Sequence, residues 1–379
     1  MTGDRLAFVL GTRPEIIKLA PVIRECKRRD IPTVLIHTGQ HYSDELDAVF
    51  FRQLRLPEPT YNLGVGSDRH GAQTGEMLAG VEQRLLETDP EAVLVQGDTN
   101  SALAGGLAGS KLDVDVAHVE AGLRSFDRDM PEETNRVLVD HVSEYLFAPT
   151  PESARLLRRE GLPESRITVT GNTIVDAVEQ YSELAATESD VLERFGLDPE
   201  GFCVLTAHRA ENVDDRDRFA SLLNGVNRYA KRAGLPVVYP IHPRARDRLD
   251  EFDLSVPDTI RLVEPLDFFD FLKLEDEASL VFTDSGGVQE ETCVLGTPCV
   301  TLRYNTERPE TVFVGANCIA GLSPRDIVTA AEQMAPKRGR WNSPFGDGRA
   351  GWRIVSELTA GETDSEPEPT EPHIHSSLR

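Results

Sequence analysis

Lysine is scarce in this chain of 379 residues: 40 side chains are basic, but only six are Lys (18, 27, 111, 231, 273 and 337), so Arg supplies nearly all the positive charge. Cysteine is scarce as well. The five Cys (26, 203, 293, 299 and 318) form no C-x-x-C pair and have no ligand spacing with His, which speaks against a disulfide framework and a metal site and favours small reduced core residues. No run of about 18 apolar residues occurs, so no spanning helix is expected. Met1-Thr2-Gly3-Asp4-Arg5 leads straight into an apolar run without a signal-peptide pattern, and the expectation is a soluble protein of the cytoplasm. Positive charge is outweighed overall, 40 basic against 64 acidic residues for a net charge of -24. Such a field repels nucleic acid and anionic membrane surfaces, so neither is expected as a partner. The Arg-rich, Lys-poor acidic surface resembles that of proteins adapted to a salt-rich cytoplasm, where screening removes most self-repulsion. No internal repeat is apparent.

The chain is too long for one core and suits two domains of roughly 150 to 200 residues. Leu6 to Leu10 is a short apolar run closed by Gly11-Thr12-Arg13-Pro14, after which apolar residues recur at 16, 20, 23 and 26. That reads as strand, tight turn and helix, with Pro14 suited to the first helical turn. The alternation continues with Thr33 to His37, Ala92 to Gln96 and Val114 to Val119 as strands, Ser43 to Leu54 as a helix and Thr99 to Gly109 as a helix of small residues. A second series has strands at Phe202 to Ala207, Val237 to Pro240, Thr259 to Val263, Leu280 to Thr283 and Pro298 to Leu302. Strands separated by helices imply β-α-β crossovers and parallel sheets. The fold class is therefore α/β, with two Rossmann-like, doubly wound domains facing a cleft. Their expected extents are residues 1–169 and 170–345, followed by a terminal helix over 346–358. The tail over 359–379 is rich in Glu, Pro, Ser and Thr and is expected to be disordered.

Ligands of open α/β sheets bind beyond the C-terminal ends of the strands, so residues closing each apolar run are the first candidates. Asp98 and Glu120 stand at two such ends, and Glu132 and Glu133 follow Pro131 at an expected helix start. Carboxylates crowded into a partly dry site raise one another's proton affinity, which provides an acid and a base near neutral pH. His208 closes another run. Asp284-Ser285-Gly286-Gly287 follows a strand and opens a helix, where exposed amides and the helix dipole favour a phosphate, with Glu291 one turn in, where a carboxylate could meet a ribose diol. Neither G-x-G-x-x-G nor G-x-x-x-x-G-K-[ST] occurs at this junction, so nicotinamide and P-loop readings lose ground. Arg13, Lys18, Arg136, Arg209 and Arg308 supply local positive charge for an anionic substrate.

Taken in order, Gly11 to Lys18, Thr38 to His41, Gly97 to Thr99, His118 to Arg124, Pro131 to Arg136, Thr170 to Thr173, Thr206 to Arg209, Asp284 to Glu291 and Thr306 to Glu310 resemble the motifs of the non-hydrolysing UDP-N-acetylglucosamine 2-epimerases. The likeness spans about residues 5 to 358. It implies the two-Rossmann-domain GT-B fold, a homodimer, a last helix returning to the first domain, and no cofactor or catalytic metal. It implies reversible epimerisation of UDP-GlcNAc to UDP-ManNAc through elimination of UDP to a 2-acetamidoglucal, supplying ManNAc-type sugars for surface polysaccharide or glycoprotein glycans. On the matching positions, Asp98, Glu120 and Glu132 resemble the catalytic carboxylates and His208 the group that meets the leaving pyrophosphate. Arg13, Lys18, Ser285, Gly286, Gly287 and Arg308 resemble diphosphate ligands, Glu291 the ribose partner, and Phe271 with the Leu266 backbone a uracil platform. Arg136 resembles a positioning residue for sugar or phosphate. Some bacterial members also use an activating UDP-GlcNAc site, whose pattern Gln40, Arg69, Arg209 and His242 match in part. Ser43 stands where a second Gln is often found, and the segment between Glu120 and Glu132 is shorter than in some relatives.

Overall fold

The computed structural model describes residues 5–39 and 50–359. The first sheet is built from β1 (Leu6–Leu10), β2 (Thr33–His37), β3 (Tyr61–Asn62), β4 (Ala92–Gln96), β5 (Asp115–Val119), β6 (Tyr145–Ala148) and β7 (Ile167–Val169). The second contains β8 (Cys203–Thr206), β9 (Val237–Pro240), β10 (Ile260–Val263), β11 (Leu280–Thr283), β12 (Cys299–Thr301) and β13 (Asn317–Ile319). Every pairing in both sheets is parallel. The inner strands explain why: Leu6–Leu10 and Ala92–Gln96 are buried along their whole length, as strands covered by helices on both faces must be. The doubly wound α/β class read from the sequence is the class observed.

Strand order places the chemistry. The first sheet runs β3-β2-β1-β4-β5-β6-β7 and the second β10-β9-β8-β11-β12-β13. Winding reverses between β1 and β4 in one and between β8 and β11 in the other, and such a reversal opens a crevice at the strands' C-terminal ends. Small residues bring a helix down onto the first reversal. A Cβ on Gly105 of the Asn100–Ser110 helix would lie 2.7 Å from Val95 Cγ1 and 3.0 Å from Val9 Cβ, so a larger residue would lift the helix off β1 and β4.

The chain forms two compact units, one comprising the chain up to Ala177 with the segment from Phe345, the other Val178–Pro344. The division falls inside the helix Thr173–Glu188. Within the first unit the last helix, Ala350–Leu358, packs on Arg13–Arg28. The Asp176 carboxylate accepts from the amides of Ala350 (3.1 Å) and Gly351 (2.9 Å), and Arg29 donates to Ser356 Oγ at 2.8 Å. Several elements go beyond the sequence reading. The edge strands β3 and β7 have two and three residues, too few to show a period, and the His70–Thr88 helix buries polar Gln73 and Thr88 in its apolar stripe. Among the described residues no helix is long and apolar enough to cross a membrane. The tail from residue 360 and most of the segment expected as a helix over Ser43 to Leu54 lie outside the described residues.

Candidate active site

In the first unit, β4 and β5 are hydrogen-bonded neighbours with Gln96 in register with Val119, so Asp98 and Glu120 emerge from adjacent strand ends. Glu120 is buried, and both of its oxygens accept from Lys18 Nζ, at 2.9 and 2.8 Å. The amide of Gln96 donates to the same carboxylate. Three donor contacts onto two oxygens hold this side chain as an acceptor. Its backbone has φ +74°, a left-handed conformation that costs a non-glycine residue on the order of 1–3 kcal/mol and persists only where the surroundings fix it. Lys18, expected to face a diphosphate, thus has Glu120 as a partner.

Asp98 follows Gly97, whose φ of +69° turns the chain sharply out of β4. Its carboxylate accepts from Arg136, and its carbonyl accepts from Asn135 Nδ2 at 2.9 Å. Both partners lie on the Pro131–Val142 helix, which also carries Glu132. Glu132 and Arg136 are four apart on that helix and so lie on one face of it. Glu133 is the structural one of the pair. It accepts from the Ser125 and Phe126 amides at 2.9 and 3.0 Å and from Arg136 at 3.0 Å. On the β1 side, buried Glu15 accepts from the Gly11 amide (3.0 Å), Thr12 Oγ1 (2.8 Å) and Thr99 Oγ1 (2.7 Å), tying the turn after β1 to the turn after β4. Burial pushes its carboxyl up to about 7 against those hydrogen bonds. Arg13 opens the helix after β1, its guanidinium 5.5 Å from the Phe50 ring centroid.

In the second unit, Asp284 ends β11 and is wholly buried. Its carboxylate accepts from the amides of His208 and Arg209 and from Asn212 Nδ2, each at 3.1 Å, and lies 3.2 Å from His208 Nδ1. Burial pushes this carboxyl up, but His208 and the other donors outweigh it and hold it below the ordinary range. The half-exposed His208 ring is therefore oriented by Asp284 through Nδ1, which leaves Nε2 as the nitrogen to meet a ligand. Ser285 occupies the N-cap position of the Gly286–Leu295 helix without a side-chain capping bond, and a Cβ on Gly286 would meet nothing within 4 Å, so the backbone there is open to close approach. Arg308 Nε lies 2.5 Å from Glu290 Oε1, and Arg209 donates to Asp284 O (2.8 Å) and Glu307 (3.0 Å). Burial opposes ionisation of Glu307, but Arg209, Arg303 and Arg308 pull it well below the usual carboxylate range. Glu291 is buried beside Glu275, whose carboxyl is pushed up by burial and by Glu291's charge. Leu266 and Phe271 pack half-buried against one apolar cluster.

Of the four residues matched to an activating site, Gln40, like Ser43, lies outside the described residues. Arg69 is exposed and precedes the first residue of the His70–Thr88 helix in the first unit, and His242 caps Pro243–Glu251 in the second by accepting from the Arg244 amide at 3.2 Å. The sequence reading did not single out Gln96, Glu15 or Asp284 as site residues in their own right. Only Asp284 carried a signal, an acid closing an apolar run.

The model of the UDP-N-acetylglucosamine 2-epimerase family matches residues 24–359. The chain is 50% identical to the UDP-N-acetylglucosamine 2-epimerase of Methanocaldococcus jannaschii, covering 94% of this chain and all of the relative, and 48% identical to that of Methanococcus maripaludis, covering 94% and 99%. The crystal structure of the M. jannaschii UDP-GlcNAc 2-epimerase in complex with UDP-GlcNAc and UDP superposes with a TM-score of 0.88 over 94% of this chain and 100% of that one, at 50% identity. With strand-end carboxylates, the Asp284-oriented His208 and this likeness along nearly its whole length, the chain belongs to the UDP-N-acetylglucosamine 2-epimerase family.

Proposed function

We propose that this protein interconverts UDP-GlcNAc and UDP-ManNAc by inverting C2, in the non-hydrolysing mode. A carboxylate takes the C2 proton, the C–H electron pair forms the C1–C2 double bond, and the C1–O bond to UDP breaks to leave a 2-acetamidoglucal. UDP then adds back to C1 while a proton reaches C2 from the opposite face. The observation that carries this reading is the emergence of Asp98 and Glu120 from adjacent strand ends, with Glu132 on the helix that grips Asp98 through Arg136. A C2 proton is weakly acidic, so the reaction needs acid and base fixed on one ring and a stabilised leaving group.

Glu120, Asp98 and Glu132 are assigned to proton transfer at C2. His208, oriented by Asp284, is assigned to the departing pyrophosphate, with Arg13, Lys18, Arg308 and the Ser285–Gly287 amides as further donors and Arg136 positioning the sugar. Glu291 is assigned to the ribose, and Phe271 with the Leu266 backbone to uracil. Incubation with UDP-GlcNAc in deuterated buffer should place deuterium at C2 and yield UDP-ManNAc, read by NMR. Glu120→Gln should lower that exchange by about 10²- to 10⁴-fold, the usual contribution of a positioned acid or base. Absence of exchange in the wild-type protein would refute the epimerase, and accumulation of free ManNAc with UDP would assign the hydrolysing reaction instead.

A further inference from the structure

His118 lies in β5, fully buried, two residues before Glu120. Its Nδ1 is 2.7 Å from Asp140 Oδ1, and its Nε2 is 2.8 Å from the Gly97 carbonyl oxygen. A carbonyl can only accept. Asp140, itself fully buried, already takes the Gly122 amide (3.3 and 3.2 Å to its two oxygens) and Arg124 Nη1 (2.7 Å), so it too is an acceptor. Both ring nitrogens therefore face acceptors. The bridge belongs to a closed set in which Arg124 joins Asp140 to Glu160, donating to the latter at 2.8 and 2.6 Å. A buried ring with both nitrogens engaged has none left for a ligand, so its role is mechanical.

The segments it joins define that role. Gly97 immediately precedes Asp98 and is also fixed through its own amide to Val119 O at 3.1 Å. Asp140 lies on the Pro131–Val142 helix with Glu132, and it holds Gly122, which closes the corner begun by the left-handed Glu120. We propose that His118 is the positioning residue for the candidate catalytic carboxylates, its two ring nitrogens locking the Gly97–Asp98 turn, the Glu120–Gly122 corner and the Glu132 helix into one rigid unit. This rests on the reading of Asp98, Glu120 and Glu132 as the acids and bases of the reaction.

The two amide side chains separate the ring's two bonds. Gln at this position reaches about where Nε2 stands and can still donate to Gly97 O, whereas Asn reaches about where Nδ1 stands and can donate only to Asp140. Since both bonds hold segments that carry the acids, we expect His118→Gln and His118→Asn each to lose about 100-fold in kcat with KM changed less than about threefold, the scale expected for misplacing reacting groups by an ångström. The melting temperatures of the two variants should fall together, because both leave one buried partner without its donor. A kcat within threefold of wild type in either variant, or a loss seen in KM and not in kcat, would overturn the proposal. Should neither variant fold, ¹⁵N NMR of the histidine-labelled wild-type protein decides: a buried ring with two proton-bearing nitrogens supports it, and no such ring overturns it. Failure of the underlying reading appears separately, as absence of C2 deuterium exchange in the wild-type protein.

Discussion

Glu15 and Asp284 are both buried carboxyls, yet their surroundings move them in opposite directions. Glu15 is met by hydroxyl and amide donors, and burial wins, raising it from 4.5 to about 7. A carboxyl raised on folding binds its proton more tightly in the native state, so its stabilising contribution is complete below pH 4.5 and is lost as pH rises through 7. The shift corresponds to roughly 3 kcal/mol. Urea unfolding of wild type and Glu15→Gln should therefore diverge, wild type losing about 2–3 kcal/mol relative to the variant between pH 4.5 and 8. Parallel stability curves would show that Glu15 is ionised throughout. Asp284 gains from His208 and three further donors what burial takes away, and its use is to aim an imidazole. Asp284→Asn leaves His208 in place but presents an NH₂ group among donors. Part of the 10²- to 10⁴-fold worth of a positioned acid should disappear, about 10- to 100-fold in kcat. Stability should fall by about 1–3 kcal/mol for the unsatisfied buried groups. Unchanged kcat would detach His208 from the leaving group.

The elements that hold these residues were unevenly legible. Asp98, Glu120 and His208 were readable as candidates because they close apolar runs, at the strand ends where ligands of open α/β sheets bind. Gln96 and His118 could not, since they sit inside buried strands and their partners come from other elements: Glu120 across the neighbouring strand, Asp140 from a helix. A one-dimensional pattern carries periodicity, not pairing. Short edge strands such as β13 fail for a related reason, having three residues and no alternation to read. Gly122 is a case where pairing decides everything. Its φ is +83°, and an added Cβ would stand 2.4 Å from the Ser153 carbonyl oxygen in the Pro151–Arg159 helix. Gly161 has nearly the same φ, +85°, but open space around it. Gly161→Ala should cost only the left-handed strain, about 1 kcal/mol. Gly122→Ala should cost about 2–4 kcal/mol, because the clash adds to the strain. It should also depress C2 exchange by moving the corner that holds Glu120. Equal losses in urea unfolding would mean that the helix yields and the corner is not fixed from behind.

Across the whole molecule, 64 acids face 40 bases, an excess that self-repulsion turns against the compact state. Many of the charged pairs are exposed, such as Arg155–Glu152 and Arg158–Glu164, and water and salt screen pairs of that kind until they add little to stability. They cannot offset the net field. Screening can, since the Debye length contracts from about 10 Å at 0.1 M salt to about 3 Å at 1 M. The melting temperature should therefore rise by several degrees between 0.1 and 2 M KCl, at roughly 2–4 °C per kcal/mol for domains of this size. Sucrose at matched osmolality should give a smaller rise, since it strengthens burial without screening charge. Equal effects of salt and sucrose would remove self-repulsion from the account. The same treatment should spare the chemistry. Lys18 and Glu120 have side-chain exposures of 7% and 3%, and a buried pair is screened far less than a surface one. C2 exchange per folded molecule should hold roughly constant across the range in which stability climbs, so that salt acts on the shell of the protein and leaves the carboxylate corner as it is.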